Sequence, residues 1–162
     1  MAKKLSLSLS SQSINEMIKK IQNIQDSVEN AKIEAVQEVL EGAKEEVISR
    51  TPYDTGASAS STTYTIGATK ATLKQSGDHV AYNEFGTGIV GSSNPHPNMP
   101  NGWTYSSKIW GFENTNPSSR WYGVHFTAGQ PAHAQMYHGS QYIRNNITKI
   151  MKQKVSGALS RI

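Results

Sequence analysis

One apolar pattern constrains the fold of this 162-residue chain more than any other feature. Apolar side chains recur every three or four residues and therefore share one helical face: Ile14, Met17, Ile18, Ile21, Ile24, Val28, Ala31, Ala35, Val39, Ala43 and Val47. Ser13 followed by Glu16 is typical of a capping box, and Pro52 prevents continuation. We predict one amphipathic helix over residues 13–50, which either covers a sheet or extends past its own subunit.

The rest of the chain contains signals for short strands, a long insertion and a second helix. Alternating apolar residues in "LSLSLS" predict a strand or arm within residues 1–12. Similar alternation in "TTYTIGATKATL" and "HVAYNEF" predicts antiparallel strands over 57–87, and "WYGVHF" predicts another over 121–127. A second apolar stripe with three-and-four spacing, preceded by Pro131, predicts a C-terminal helix over residues 132–160.

Residues 88–120 contain four prolines, which alone would indicate a mobile loop. The same stretch is rich in aromatic residues, which are rare in solvated linkers and favour an ordered insertion. The chain length and the predicted elements together indicate a single domain over residues 1–162. Its predicted class is α+β, with the long N-terminal helix and the C-terminal helix packed on a mostly antiparallel sheet and the insertion projecting.

The composition excludes several classes of protein. There is no cysteine, so disulfides, thiolate nucleophiles and cysteine zinc sites are absent. The sequence contains no run of about eighteen apolar residues, so no membrane span is predicted, and no signal peptide is recognisable. We therefore expect a protein that is used in a cytoplasm, or in a particle assembled there, without contact with a membrane.

Metal and nucleotide sites have little support in the sequence. The closest histidines are His125, His133 and His138, and the last two are five residues apart, about 140° around a helix. The segment "FGTGIVG" is not followed by the helix that a phosphate-binding loop requires. No cofactor or metal is therefore predicted.

Glu84, in "HVAYNEFGTGIVG", is the best candidate for catalysis. A glycan-acting enzyme could use this carboxylate, with the tryptophans as platforms for sugars. The structural alternative is a carboxylate at a strand end that accepts hydrogen bonds from neighbouring turn amides or pairs with a basic residue. Gly86 and Gly88 would then serve the backbone geometry. We favour the structural interpretation and therefore predict no catalytic residue.

Charged and aromatic residues indicate a subunit interface. Glu38, Glu41 and Glu45 lie on the acidic half of the first helix, and Lys149 and Lys152 belong to a C-terminal segment without acids. These ends are electrostatically complementary, so the acids of one subunit would face the bases of its neighbour. The basic helix could alternatively bind DNA.

The tryptophans of the chain are Trp103, Trp110 and Trp121. Only two basic residues lie among them, whereas a surface for stacking on single-stranded nucleic acid would combine aromatic and basic residues. We therefore expect these rings to pack on their own or on a neighbouring subunit.

Four ordered blocks resemble the neck or tail-completion proteins of long-tailed phages: "TPYDTG" after a long helix, "HVAYNEFGTG", a tryptophan-rich insertion, and "GQPAHAQM" before a final helix. The matching positions are Pro52, Asp54, Thr55, Gly56, Tyr82, Glu84, Phe85, Gly86, Thr87, Gly129, Pro131, Ala132 and Met136. The chain departs from the family pattern at Ala134 and Gln135, where Pro-Phe is common, and it lacks an apolar residue soon after "DTG".

The resemblance implies a non-enzymatic virion protein at the head-tail junction, made in the host cytoplasm. It implies a ring of identical subunits, with six favoured, that joins or closes the tail on the head. The implied partners are head-completion or adaptor proteins and a tail tube or terminator protein, with non-specific contact to phage DNA in the lumen. Residues 84–88 would form a corner from which the insertion starts.

Overall fold

The computed structural model describes residues 10–52, 56–119 and 121–161. In chain order its elements are α1 (Ser11–Arg50), α2 (Ala57–Ser60), β1 (Thr63–Ile66), β2 (Ala71–Lys74), α3 (Val80–Phe85), α4 (Gly88–Ser93), β3 (Trp110–Asn114), β4 (Gly123–Thr127), β5 (Gly129–Gln130) and α5 (Gln135–Leu159). The predicted α+β class, with a long helix near each end of the chain, is confirmed.

Helix α1 begins slightly earlier than its apolar pattern indicated. Ser10 is the N-cap, and its hydroxyl accepts a hydrogen bond from the Ser13 amide at 3.2 Å. The predicted cap at Ser13 is therefore wrong. Ser13 lies within the first turn of α1, and Ser10 is the residue whose side chain caps that turn. The strand or arm predicted for residues 1–12 mostly lies outside the described residues, but Ser11 and Gln12 belong to α1.

Helices α1 and α5 pack against each other in antiparallel directions, with small residues at their contact. A Cβ atom on Gly139 would lie 2.6 Å from a methyl group of Val47. Gly42 likewise faces the ring of Tyr142. The glycines therefore allow the two helices to approach closely. The buried core between them contains Ala35, Val39, Leu40 and Ile150, with Tyr64 and Leu73 packed against it.

The strands form two separate antiparallel pairs instead of one sheet. β1 pairs with β2, and the Tyr64 hydroxyl of β1 donates a 2.7 Å hydrogen bond to Glu41 on α1. β3 pairs with β4, which confirms the strand predicted around 121–127. This second hairpin makes few contacts with the other elements, and Phe126 on β4 is 77% exposed.

The largest correction concerns "HVAYNEF", which was predicted to be a strand and instead contains helix α3. The alternation of Val80 and Tyr82 was misleading, because the buried side chains of α3 are Asn83 and Glu84. Helix α2 also interrupts the strands predicted over residues 57–87. The predicted insertion at 88–120 begins with helix α4 and contains β3.

Candidate functional site

The carboxylate of Glu84 binds the first turn of α5. Oε2 accepts from the Met136 amide at 2.7 Å, and Oε1 accepts from the Tyr137 amide at 2.9 Å. Oε1 also accepts from His96 Nε2 at 3.0 Å. Glu84 is only 7% exposed and His96 only 6%. This buried carboxylate therefore uses both oxygens to bind elements from distant parts of the sequence.

Helix α5 needs this carboxylate because its own N-cap has no side-chain acceptor. The N-cap residue is Ala134, with φ 49° in the left-handed region, a conformation that is uncommon for residues other than glycine. A capping side chain normally binds the second or third helical amide. Those amides belong to Met136 and Tyr137, so Glu84 supplies from α3 the cap that Ala134 lacks.

Backbone hydrogen bonds also join the end of α3 to the start of α5, and we call this meeting point the junction of α3 and α5. The amide of His133 donates to the Asn83 carbonyl at 2.8 Å, and the amide of Ala134 donates to the Glu84 carbonyl at 3.1 Å. The last carbonyls of a helix lack partners within that helix. Here the last carbonyls of α3 accept hydrogen bonds from the amides just before α5. Burial of His133 lowers its pKa below the ordinary value.

His96 is held between Glu84 and its own loop. His96 Nδ1 lies 2.9 Å from the Asn98 amide nitrogen and 2.7 Å from the Asn98 carbonyl oxygen, and Nε2 lies 3.0 Å from Glu84 Oε1. The imidazole also contacts Phe85 and Tyr137 edge to face, with ring centroids 4.9 and 5.3 Å apart. His96 thereby fixes the start of the insertion against both α3 and α5.

After α3 the chain crosses the segment "AGQPA" at very short range. Thr87 forms an antiparallel bridge with Gln130, and Gly88 forms one with Gly129. A Cβ atom on Gly86 would lie 2.6 Å from the Ala132 amide nitrogen, and the φ of Gly86 is 75°. This crossing explains why glycine is required at position 86.

A second buried polar cluster adjoins the first. Gln75 Nε2 lies 2.9 Å from the Thr51 hydroxyl, 3.1 Å from the Ser58 carbonyl and 3.2 Å from the Thr62 hydroxyl, so its two N–H groups are shared among three acceptors. Its oxygen accepts from Gln135 Nε2 at 3.2 Å. Gln135 is 0% exposed. The start of α5 is thus tied by hydrogen bonds to α1, α2 and the end of β2.

Two open grooves flank the junction, with volumes of about 930 and 560 Å³. Both are lined by Tyr82, Thr87 and Trp110, and the larger is also lined by Pro52 and Gly129. Glu84 lines neither groove.

The structure brings most of the predicted motif residues together. Around the junction lie Pro52, Gly56, Tyr82, Glu84, Phe85, Gly86, Thr87, Gly129, Ala132 and Met136. Pro131 connects β5 to the segment that precedes α5. Asp54 and Thr55 lie outside the described residues. The predicted role of Glu84 as an acceptor of amide hydrogen bonds is correct, but the amides belong to α5 and not to a neighbouring turn.

The acidic residues of α1 are partly used within the chain. Glu38 pairs with Lys154 at 2.9 Å, and Glu41 accepts from Tyr64 at 2.7 Å. These contacts raise the pKa values of Lys154 and Tyr64. Glu45, Lys149 and Lys152 are exposed, with no ion pair to any other residue in the ranges described.

The tryptophans divide between the junction and the hairpin. Trp103 packs on Phe85 with ring centroids 5.0 Å apart, and the nearby Tyr105 hydroxyl donates to the Phe85 carbonyl at 2.8 Å. Trp110 and Trp121 are 37% and 47% exposed. The first part of the insertion is therefore anchored on α3, whereas the hairpin leaves aromatic surface open to solvent.

Among residues 10–52, 56–119 and 121–161, no three histidine or acidic side chains are close enough to hold a metal ion. Within those ranges no helix is long and apolar enough to cross a membrane. His125 stacks on Phe112 in the hairpin, at a centroid distance of 5.5 Å, whereas His133 and His138 lie on either side of the start of α5.

Sequence reasoning missed His96, Gln75 and Gln135. Each is polar and buried, and each has a hydrogen-bond partner 12 or more residues away in the sequence. No local spacing signals such contacts. In comparisons with known proteins, no family model, curated protein or solved structure matches the chain.

Proposed function

We propose that this protein is a structural virion component at the head-tail junction of a long-tailed phage. In this role it assembles as a ring that joins or closes the tail on the head. One observation supports the proposal most: sequence blocks that carry the family resemblance meet around Glu84. In a structural protein, motif residues are expected to hold the fold together, because every subunit of a ring must present the same shape to its neighbours.

The accessible charges support a particular contact in the ring. Glu38 and Glu41 already have partners within the chain, so Glu45 is the one of the three predicted interface acids that remains for a neighbour. Lys149 and Lys152 present two cations on the exposed side of α5. The proposed interface therefore places Glu45 of one subunit near Lys149 and Lys152 of the next.

Light scattering can test the assembly role with the purified chain. The chain is measured alone, with tail-free heads, and with head-free tails of the phage that encodes it. We expect discrete rings or stable binding to one type of particle. A chain that stays monomeric and binds neither particle would overturn the proposal.

Charge reversal tests the contact within the ring. Glu45→Lys is expected to weaken assembly, and adding Lys149→Glu with Lys152→Glu is expected to restore it. Glu113→Lys, an exposed change on β3, is the matched control and should leave assembly unchanged. Assembly that is unaffected by Glu45→Lys would refute this contact. The proposed role at the head-tail junction would still be decided by the particle-binding test.

The same material tests the two alternatives. A glycan-acting enzyme would release sugar fragments from purified cell-wall glycan, and Glu84→Gln would abolish this release. A DNA-binding module would bind duplex DNA with an affinity that falls steeply with salt. Either result without particle binding would replace the proposed function.

A further inference from the structure

The first half of α1 carries an apolar stripe that the rest of the described chain leaves uncovered. Every residue from 10 to 26 is exposed. The stripe consists of Ile14, Met17, Ile18, Ile21 and Ile24, with exposures of 38 to 57%. Such a row of large apolar side chains on a soluble helix marks an interaction surface.

The stripe exists because α1 is much longer than the helix that covers it. α1 has 40 residues and α5 has 25, which correspond to roughly 60 and 37 Å. The buried positions of α1 run only from Ala31 to Val47. The N-terminal part of α1 therefore extends beyond α5 as a single helix, which alone is only marginally stable in water.

The spacing of the stripe indicates what covers it. Ile14, Ile21 and Val28 are seven residues apart, and Met17 and Ile24 form a second series with the same period. These two series correspond to the a and d positions of a coiled coil, whose partner is another helix. Isoleucine and valine at the a positions are typical of such seams.

The seam continues into an interface that already exists in the chain. Ala35 follows Val28 by seven residues, and Ala31 follows Ile24 by seven. Both alanines are buried in the half of α1 that α5 covers. The same helical face thus packs on α5 at one end and lacks a partner at the other.

We propose that the partner is a second copy of this chain, with the two stripes packed against each other. Residues 11–28 carry two acids, Glu16 and Asp26, and two bases, Lys19 and Lys20. Their net charge is zero, so two copies meet without net electrostatic repulsion. This contact depends only on exposure and spacing and does not require the phage role.

Cysteine cross-linking tests the contact directly, because the native chain has no cysteine. Ile21 lies midway between Ile14 and Val28 in the heptad series, so two paired copies centred on this series bring Ile21→Cys next to its counterpart in either helix orientation, and a disulfide is expected. Asn23→Cys is the matched control, since Asn23 is exposed and lies about 200° around the helix from Ile21. Cross-linking of both variants to the same extent would contradict the proposal.

A second variant measures the strength of the contact. Ile21→Gln is expected to raise the dissociation constant of the pair about a hundredfold, because one buried isoleucine is lost from each copy. Light scattering over a concentration series gives the constant, and circular dichroism checks that helix content is retained. A wild-type chain that remains monomeric throughout the series would overturn the proposal.

Two other occupants of the stripe have distinct results. If residues 1–9 of the same chain cover it, a chain starting at residue 10 will associate whereas the full chain will not. If the exposed hairpin of another copy covers it, Ile21→Cys will cross-link to Phe126→Cys in a mixture and not to itself. Either result would overturn stripe-to-stripe pairing, and neither depends on binding to phage particles.

Discussion

Replacing Glu84 by glutamine should destabilise the protein strongly although it hardly changes the shape of the side chain. Three N–H groups point at the two carboxylate oxygens. A glutamine has one oxygen, so at best it keeps the bonds from Tyr137 and His96 and turns its NH2 group towards the Met136 amide. That amide then faces another donor in a buried site, and the remaining bonds lose their charge assistance.

The size of the effect follows from these contacts. A hydrogen bond to a charged group contributes about 1.5–3 kcal/mol, and a negative charge at a helix N-terminus adds about 0.3–2 kcal/mol. Allowing for partial retention, Glu84→Gln should cost about 2–4 kcal/mol of the roughly 5–15 kcal/mol typical of a folded domain. For a chain of this size the melting temperature should fall by about 5–15 °C.

Thermal and urea unfolding followed by circular dichroism measure this loss. Glu113→Gln is the matched control, because Glu113 is an exposed glutamate on β3 and its change should stay within about 0.5 kcal/mol. Hydrogen exchange should also accelerate most at the Met136 amide, which loses its acceptor, and less at the Tyr137 amide. A melting temperature of Glu84→Gln within about 1 °C of the wild type would refute the capping role.

Two further predictions concern the contact between α1 and α5. Gly139→Ala should destabilise the protein by about 1–3 kcal/mol, despite the better helix propensity of alanine, because the new methyl group would overlap Val47; unchanged urea unfolding would contradict this. Glu38 raises the pKa of Lys154 above 10.5, so the folded state holds that proton more tightly than the unfolded state. The stabilisation by this pair is fully present below pH 10.5 and disappears as the pH rises through the folded pKa. Melting temperatures of the wild type and Glu38→Gln should therefore converge at high pH, and a constant difference would rule out this linkage.

The two long helices could be predicted from sequence because each repeats its apolar spacing over many turns. Helix α3 could not, since six residues are too few to display a helical period. Its buried face is formed by Asn83 and Glu84, whose partners lie on β5 and α5. Tertiary contacts thus override the strand preference of Val80 and Tyr82.

The candidate site was predictable only in part. Glu84 stood out because a lone acid precedes a glycine-rich turn, and its role as an acceptor followed from that position. The identity of its donors did not follow, because Met136 is 52 residues away. The pairing of Gln75 with Gln135 spans 60 residues, and glutamine carries no sequence signature that distinguishes a buried side chain from an exposed one.

The antiparallel contact between α1 and α5 has a consequence for the order of events on the ribosome. The buried face of α1 packs on α5, which is synthesised more than eighty residues after α1 ends. The Glu84 carboxylate likewise cannot bind the amides of residues 136 and 137 until these residues have been synthesised. Contacts of such long sequence separation form slowly and late. The core between α1 and α5 therefore closes only when α5 has emerged, and until then the apolar face of the α1 segment lacks its partner.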